Sequence, residues 1–538
     1  MPKKALISVS DKNGIIDFAS GLARFGFEII STGGTYSVLE KAGINVRDVS
    51  DITGFPEMMD GRVKTLHPKI HGAILALQDK PSHVKDAREH GIEFIDIVAV
   101  NLYPFEKTVE GNGKGKANLE DAIENIDIGG PALVRAAAKN YTHVAVITDT
   151  ADYPLILEEL KKGAISLETK KKLAVKAFRR IADYDCAIDT YLSRALGNED
   201  ILRMKFVEGT TLRYGENWHQ SAKFYKEPGV TEPTIANAKQ LHGKALSYNN
   251  YVDAESALNV VLGCKKKIAV SIVKHSNPCG LATGNTLKEA LSRAWDGDPV
   301  SSFGSIICMT RKPDLLALEF LKGRFVELII APGYDEEGLF YLKNKSKDLR
   351  ILELSMDDGK PLENTYRYIV GGMLVQSRNR GLYEKWDVVT QHQFPEEKKG
   401  LSEFALNACK YTKSNAVVIA REYEKGCYQI LAIGAGQPNR VDSIKKLAAT
   451  KARENLKILF EREKPDISED EFVKNIMSEC VMVSDAFFPF DDSIIHSAEN
   501  HIRYIVSPGG SIRDKEVIAT ANRLGVSLVF TGMRHFYH

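Results

Sequence analysis

Ala5-Leu6-Ile7-Ser8-Val9-Ser10, Asp11-Lys12-Asn13-Gly14 and Glu28-Ile29-Ile30-Ser31-Thr32-Gly33-Gly34-Thr35 decide the fold. The two β-branched segments read as buried strands. Between them Ile15, Phe18, Leu22 and Phe25 recur at helical spacing, and Gly26-Phe27 ends that helix. A second helix is expected over residues 36–42. Strand, helix, strand, helix is the start of a parallel α/β sheet. Further apolar runs at 95–102 and 143–147 extend it to about five strands. Helical sequence follows over 153–195, and 197–200 is the expected boundary, giving domains 1–199 and 200–538.

The loop Ser31, Thr32, Gly33, Gly34 and Thr35 joins a strand to a helix N-terminus. Its N–H groups can point outward, glycine allows close approach, and the helix dipole favours an anion. We read it as a phosphate cradle; the plainer alternative is a helix start capped by Thr32. Ser10 and Lys12 would lie on the same sheet edge and add a cation. Residues 61–72 hold three Lys/Arg and two His, with Arg62, Lys64 and Thr65 at their head. Pro68 between His67 and His71 argues for a loop, and for an anion site over a metal pair. A Gly/Lys-rich loop is expected over 111–117, then a polar turn through Asp127 into a helix bearing Arg135 and Lys139 four apart on one face.

In the second half, the strand 268–273 ends on Lys274-His275, followed by Ser276-Asn277-Pro278-Cys279-Gly280. A cation beside the side chain that titrates near neutral pH suits chemistry, although a solvated strand end would read the same way. Neighbours on an extended strand point to opposite faces, so a bend at Asn277-Pro278 is expected to bring the two together. Polar and aromatic turns surround this stretch at 213–220, 243–250, 298–304, 414–415, 434–440 and 484–490. The His-rich, aromatic end 534–538 is expected to dock on the fold.

At 538 residues the chain is expected to hold two to four domains. Lys+Arg 72 against Asp+Glu 71 argues against a general nucleic-acid binder. Seven scattered Cys without a CxxC pair suit reduced thiols in the cytoplasm. No apolar run has the length of a signal or a membrane span. There is no GxxxxGK[ST], HExxH or sound GxGxxG motif. Pro278-Cys279 is half of a zinc-deaminase PCxxC, but Ala282 stands where the second Cys would be.

Twelve stretches carry a family resemblance: SVSDK (8–12), STGGT (31–35), GRVKTLHP (61–68), NLYPF (101–105), ENIDIGGPALVRAAAKN (124–140), LRYGEN with HQ (212–217, 219–220), KHSNPCG (274–280), DPVSSFG (298–304), YTKSN (411–415), GAGQPNR (434–440), SDAFFPF (484–490) and RHFYH (534–538). In that order and over the full length, the chain resembles the bifunctional purine-biosynthesis proteins that join AICAR formyltransferase to IMP cyclohydrolase. The resemblance implies a methylglyoxal-synthase-like N-terminal domain with a parallel sheet. It implies two cytidine-deaminase-like α/β subdomains after it, without the zinc. The reactions implied are formyl transfer from 10-formyltetrahydrofolate to AICAR, giving FAICAR, and closure of FAICAR to IMP. A homodimer with the transfer site at its interface is implied, and a potassium ion is associated with that site.

By motif position, the resemblance makes Lys64, Tyr103, Asp127 and Lys139 the ring-closing residues. Lys12 and the 31–35 loop hold the ribose 5-phosphate, with Ser10, Arg62 and Thr65 beside them. Lys274, His275 and Asn415 become the transfer residues, with Arg213, Tyr214, Arg440, Phe487 and His538 around the substrate. Trp218 departs from relatives that carry Pro there.

Overall fold

The computed structural model describes residues 2–59, 62–103, 105–110 and 118–538. The expected 111–117 loop, with Gly61 and Pro104 of the motifs, lies outside the described residues. The chain divides into two units, Met1–Met204 and Lys205–His538.

In the first unit β1 (Lys3–Val9), β2 (Phe27–Ser31), β3 (Val46–Asp48), β4 (Ile97–Asn101) and β5 (Ala145–Ile147) form one sheet in the order β3-β2-β1-β4-β5. Every pair is parallel, as the strand–helix alternation requires. The chain leaves β1 toward β2 and β3, then crosses back to add β4 and β5 on the other side. Such a reversal opens a crevice at the carboxyl ends of the strands flanking it. The expected five strands are present, and the helical stretch is realised as Tyr153–Lys161 and Leu167–Leu192. Residues 68–75 correct the loop expectation: they form the helix Pro68–Leu75. Proline at the first helical position loses no hydrogen bond, and His67 Nδ1 caps the turn by accepting from Lys69 N–H at 3.1 Å.

The second unit carries a small antiparallel pair, β6 (Val207–Leu212) and β7 (Ala222–Lys226), and a large sheet. The large sheet draws first on β8 (Lys239–His242), β9 (Ile268–Lys274), β10 (Asn277–Gly284), β11 (Ser305–Met309), β12 (Val326–Ala331) and β13 (Arg350–Glu353). A separate hairpin follows, β14 (Asn364–Ile369) with β15 (Gly372–Ser377). The sheet then resumes with β16 (Asp387–Val388), β17 (Val417–Glu424), β18 (Cys427–Gly434), β19 (Val481–Ser484), β20 (Tyr504–Ser507) and β21 (Ser527–Phe530). Twelve strands run in the order β16-β21-β20-β19-β17-β18-β10-β9-β11-β12-β13-β8.

That order is one topology used twice. Each half has an antiparallel hairpin, β9–β10 or β17–β18. The hairpin's first strand pairs antiparallel with the first of three parallel strands, and an antiparallel edge strand closes the row. A helix precedes each hairpin, Tyr248–Leu262 and Lys399–Lys410. The halves meet where β10 and β18 pair antiparallel, Ala282 opposite Gln429. The two copies correspond to the two α/β subdomains that the family resemblance implies.

Candidate active sites

In the first unit a cleft of about 570 Å³ opens at the carboxyl ends of β1, β2 and β4, where the strand order reverses. Ser10, Lys12, Thr32, Gly34, Thr35, Arg62, Lys64, Thr65, Tyr103 and Asp127 all line it. Thr35 ties the loop after β2 to the end of β1: its hydroxyl accepts from Val9 N–H and donates to Val9 C=O, both at 3.0 Å. Ser31, fully buried, donates to Ile7 C=O at 2.7 Å, so it shapes the loop from beneath. Asn101 at the end of β4 accepts from the N–H groups of Ser10 and Asp11 at 2.6 and 2.9 Å and fixes the Lys12 turn.

The helix Gly33–Lys41 starts at this cleft, and Thr32 occupies its N-cap without a side-chain cap bond. The plain capping reading of Thr32 therefore does not hold, and the first N–H groups stay available to an anion. Two ammonium groups converge on the same spot. A Cβ placed on Gly33 would lie 3.3 Å from Lys64 Nζ, and one on Gly34 would lie 4.0 Å from Lys12 Nζ. Gly33 has φ +55, a conformation that glycine adopts without penalty.

Asp127 faces the cleft from the far side, ahead of the helix Gly129–Lys139. Its carboxylate accepts from Gly130 N–H at 2.8 Å, and its own N–H donates to the buried Tyr184 hydroxyl at 2.7 Å. A Cβ on Gly130 would fall 2.3 Å from Asp127 Oδ2, so the fold-back of this carboxylate depends on glycine there. Burial raises the Asp127 pKa above its ordinary value, opposed by the Gly130 N–H and the Lys64 charge. Arg62 pairs with Glu124 at the rim. Lys139 is not part of the lining: it is exposed at the far end of its helix, about 15 Å along the axis from Gly129.

In the second unit, β9 and β10 join through a two-residue turn, with Lys274 opposite Asn277. His275 and Ser276 form it at φ 51 and 60. Positive φ at both positions is the tight hairpin geometry that normally selects Asn-Gly, and each non-glycine residue there costs about 1–2 kcal/mol. The bend is thus at His275–Ser276; Pro278, expected to make it, lies inside β10 beside a register shift. Lys274 Nζ donates to Phe303 C=O at 2.9 Å, in the 298–304 turn. The Asp253 carboxylate accepts from His275 N–H at 3.3 Å and Ser276 N–H at 2.7 Å. Asn277 receives Lys413 N–H at 3.0 Å, which brings the turn beside the loop that carries Asn415.

Asn415 follows a cis peptide after Ser414. Its amide donates to Gln437 C=O and Pro438 C=O at 2.8 and 3.0 Å, so YTKSN and GAGQPNR form one surface. Arg440 is buried: its Nη2 donates to Asn415 Oδ1 at 2.7 Å and to fully buried Asp485 at 2.6 Å, and Nη1 donates to Phe487 C=O at 3.1 Å. Arg440 therefore touches Asn415 and the Phe487 backbone, with most of its donors already used. Phe487 itself is partly exposed.

The chain's last residues are docked. Ser414 N–H donates to Tyr537 C=O at 2.9 Å, and Tyr537 N–H donates to Ser414 Oγ at 3.0 Å. Buried His535 has Asn379 Nδ2 at 3.1 Å from Nδ1 and Leu382 C=O at 2.9 Å from Nε2. That arrangement suits a neutral ring, and burial lowers its pKa accordingly. His538 is exposed beside Phe536. Arg213 lies over the Tyr214 ring at 5.3 Å, and Trp218 is 85% exposed in the same turn. Cys279 of the half-signature is buried, its thiol pushed up to about 12 by burial. Among the described residues no cluster of His, Cys, Asp and Glu could hold a metal ion.

Asp253, Asn277, Ser414, Asp485 and Tyr184 were not expected as site residues. Ser414 and Asp485 lay within quoted motifs, whereas Asp253 and Tyr184 sit inside helices with no local signal.

Comparison with known proteins shows the family of the chain. A family model described as AICARFT/IMPCHase bienzyme matches residues 137–451, and one described as MGS-like domain matches residues 14–132. The Bifunctional purine biosynthesis protein PurH of Persephonella marina is 46% identical over 545 residues, covering 100% of each chain. The protein of the same name from Lactobacillus delbrueckii subsp. bulgaricus is 45% identical over 544 residues, again covering 100% of each. A solved chain titled Crystal structure of ForH covers 35% of this chain and 96% of its own at 36% identity, with a TM-score of 0.31, too low for a comparison of folds. Similar from end to end to these relatives, the chain belongs to the AICARFT/IMPCHase bienzyme family and opens with an MGS-like domain.

Proposed function

We propose that the chain carries out the last two steps of IMP formation at two separate sites, one in each unit. Ring closure falls to the 570 Å³ cleft. The FAICAR phosphate sits on the Gly33–Gly34 loop, between Lys12 and Lys64. The carboxamide nitrogen attacks the formyl carbon, a new N–C bond closes the ring, and water leaves. Lys64 stabilises the oxygen that gathers charge. Asp127 accepts the amide proton, and Tyr103 donates to the departing oxygen. Lys139, carried over by motif, would have to act from outside the lining of this cleft.

Formyl transfer falls to the His275 turn. The 5-amino group of AICAR attacks the formyl carbon of 10-formyltetrahydrofolate. The bond from that carbon to N10 breaks, and the amine's proton passes through His275 to the leaving nitrogen. Lys274 offers charge to the tetrahedral oxygen, and Asn415 orients the substrate. Arg213, Tyr214, Arg440, Phe487 and His538 complete the nucleotide and folate surroundings. A potassium ion takes oxygen ligands. Beside Asn415 the Ser414 hydroxyl donates to Asp485 Oδ2 at 2.6 Å and Arg440 already balances the carboxylate, so these two oxygens do not fit such an ion. No zinc takes part in this reading.

We further propose that the protein works in the cytoplasm as a homodimer. Support comes from β14–β15, a two-stranded sheet that exposes Tyr368 by 70%, Val370 by 97% and Leu374 by 55%. Two strands alone are marginal in water, so this hairpin calls for a cover.

What carries the ring-closure reading is the meeting of Lys12, Lys64 and Asp127 in one cleft, where an α/β sheet reverses its strand order. Purified protein given AICAR and 10-formyltetrahydrofolate should form IMP. Accumulation of FAICAR would refute closure, and no turnover would refute transfer; no turnover together with FAICAR supplied directly and left unclosed would refute both.

A further inference from the structure

The His275 turn is held in a conformation that its own residues disfavour. His275 and Ser276 have φ 51 and 60, and neither is glycine. Something outside the turn must hold it.

The holder is visible. Asp253 sits on the helix Tyr248–Leu262. Its Oδ2 accepts from His275 N–H at 3.3 Å, and its Oδ1 accepts from Ser276 N–H at 2.7 Å and lies 3.4 Å from Ser276 Oγ. Two consecutive N–H groups aimed at one carboxylate form a small anion-binding concavity of the backbone. Among the described residues Asp253 has no ion-pair partner, so these bonds are what balance its charge.

A second group fixes where the turn lies. Asn277 donates from Nδ2 to His275 C=O at 3.2 Å and accepts from Lys413 N–H at 3.0 Å. Lys413 stands two residues before Asn415. Asn277 therefore bridges two proposed transfer elements that come from different halves of the duplicated sheet.

We infer that Asp253 and Asn277 are positioning residues for formyl transfer. Asp253 sets the turn's conformation, and Asn277 sets its place against the Asn415 loop. Neither has to touch substrate. The inference rests on the reading of His275 as a transfer residue.

The experiment measures both activities in the intact chain, with ring closure in the other unit as a control for the amount of active chain and thermal unfolding as the control for folding of the second unit. Asp253→Ala should lower kcat for transfer by about 10²-fold, the effect of a misplacement of about an ångström, with a much smaller change in KM for AICAR. Closure should keep its rate. Asp253→Asn retains one acceptor oxygen and should lose less. Adding Ser276→Gly to Asp253→Ala should restore part of kcat, because glycine takes positive φ without the carboxylate. A merely structural role would not produce that rescue.

Unchanged transfer in Asp253→Ala, with transfer abolished in His275→Ala, overturns the inference and leaves the site reading standing. Unchanged transfer in His275→Ala overturns the reading itself. If Asp253→Ala lowers both activities together, Asp253→Asn decides: selective loss of transfer supports positioning, and joint loss again overturns it. Asn277→Ala should raise KM for AICAR and lower kcat together, and wild-type values of both would remove Asn277 from the proposal.

Discussion

The two candidate sites are built in opposite ways. The first is a crevice at one sheet edge, made by the turns after β1, β2 and β4 together with the approach to one helix. Its strand-end turns place glycines, Gly14 and Gly33, at positive φ, and its charges face an open cleft. The second is assembled from the His275 turn, the 413–415 and 437–440 loops, Asp485 and the docked 534–538 segment. It depends on two non-glycine residues at positive φ and on a buried Arg440–Asp485 pair. A site at a topological switch point comes with the fold, whereas a site assembled from distant loops has to be held by specific polar bonds. The second should therefore be the more fragile.

The sharpest test of that contrast is Arg440→Ala. It leaves the Asp485 carboxylate buried and uncompensated, at a cost of about 3–5 kcal/mol. Thermal unfolding should show the second unit destabilised, with transfer lost and closure retained. Closure lost in step with transfer would mean that the two sites do not stand apart.

Next in size is a reciprocal pair. His275→Ala should lower transfer by about 10²–10⁴-fold with closure intact. Lys64→Ala should lower closure by about 10²–10³-fold with transfer intact. Separate assays with FAICAR and with AICAR read the two, and any cross-effect breaks the comparison.

A smaller effect concerns pH. Burial raises the Asp127 pKa above its ordinary 3.8, and the ionised form is the proposed proton acceptor. Closure should fall as pH drops through a midpoint above 3.8, and Asp127→Asn should remove that limb along with most of the rate. The folded unit binds this proton more tightly than the unfolded chain does. The group's contribution to stability is therefore fully present below 3.8 and fades as pH rises through the folded midpoint. An acid limb that persists in Asp127→Asn would assign the titration elsewhere.

The smallest is Gly33→Ala. It meets φ +55 and Lys64 Nζ at 3.3 Å, for a cost of about 1 kcal/mol and a raised KM for FAICAR. A KM equal to wild type would take the phosphate off this loop.

The parallel sheet was legible because buried strands and amphipathic helices alternate over short distances in Ala5, Phe18, Ile29 and their neighbours. The phosphate loop was legible for the same reason: its parts are adjacent in sequence. The helix from Pro68 was misread because proline was weighed as a breaker rather than as a first-turn residue. The bend was expected at Asn277-Pro278 because composition points to Asn and Pro, whereas tertiary bonds from Asp253 let His275 and Ser276 take the turn. The duplicated sheet was reached through family resemblance and not through patterning, because it rests on pairing between strands about 150 residues apart, such as Ala282 with Gln429. Most of the second site was reached through family resemblance, since bonds such as Asn277 to Lys413 leave no periodic trace.

Thr32 leaves its helix start without a side-chain cap, a bond usually worth about 1 kcal/mol. In the proposed complex the phosphate takes the N–H groups that such a cap would have used. A ligand that binds only the folded state stabilises it by RT ln(1 + [L]/Kd), about 2.7 kcal/mol at a hundredfold excess over Kd. The first unit should therefore melt at a temperature set by its surroundings, and samples in phosphate and in an amine buffer should give two melting curves for one chain.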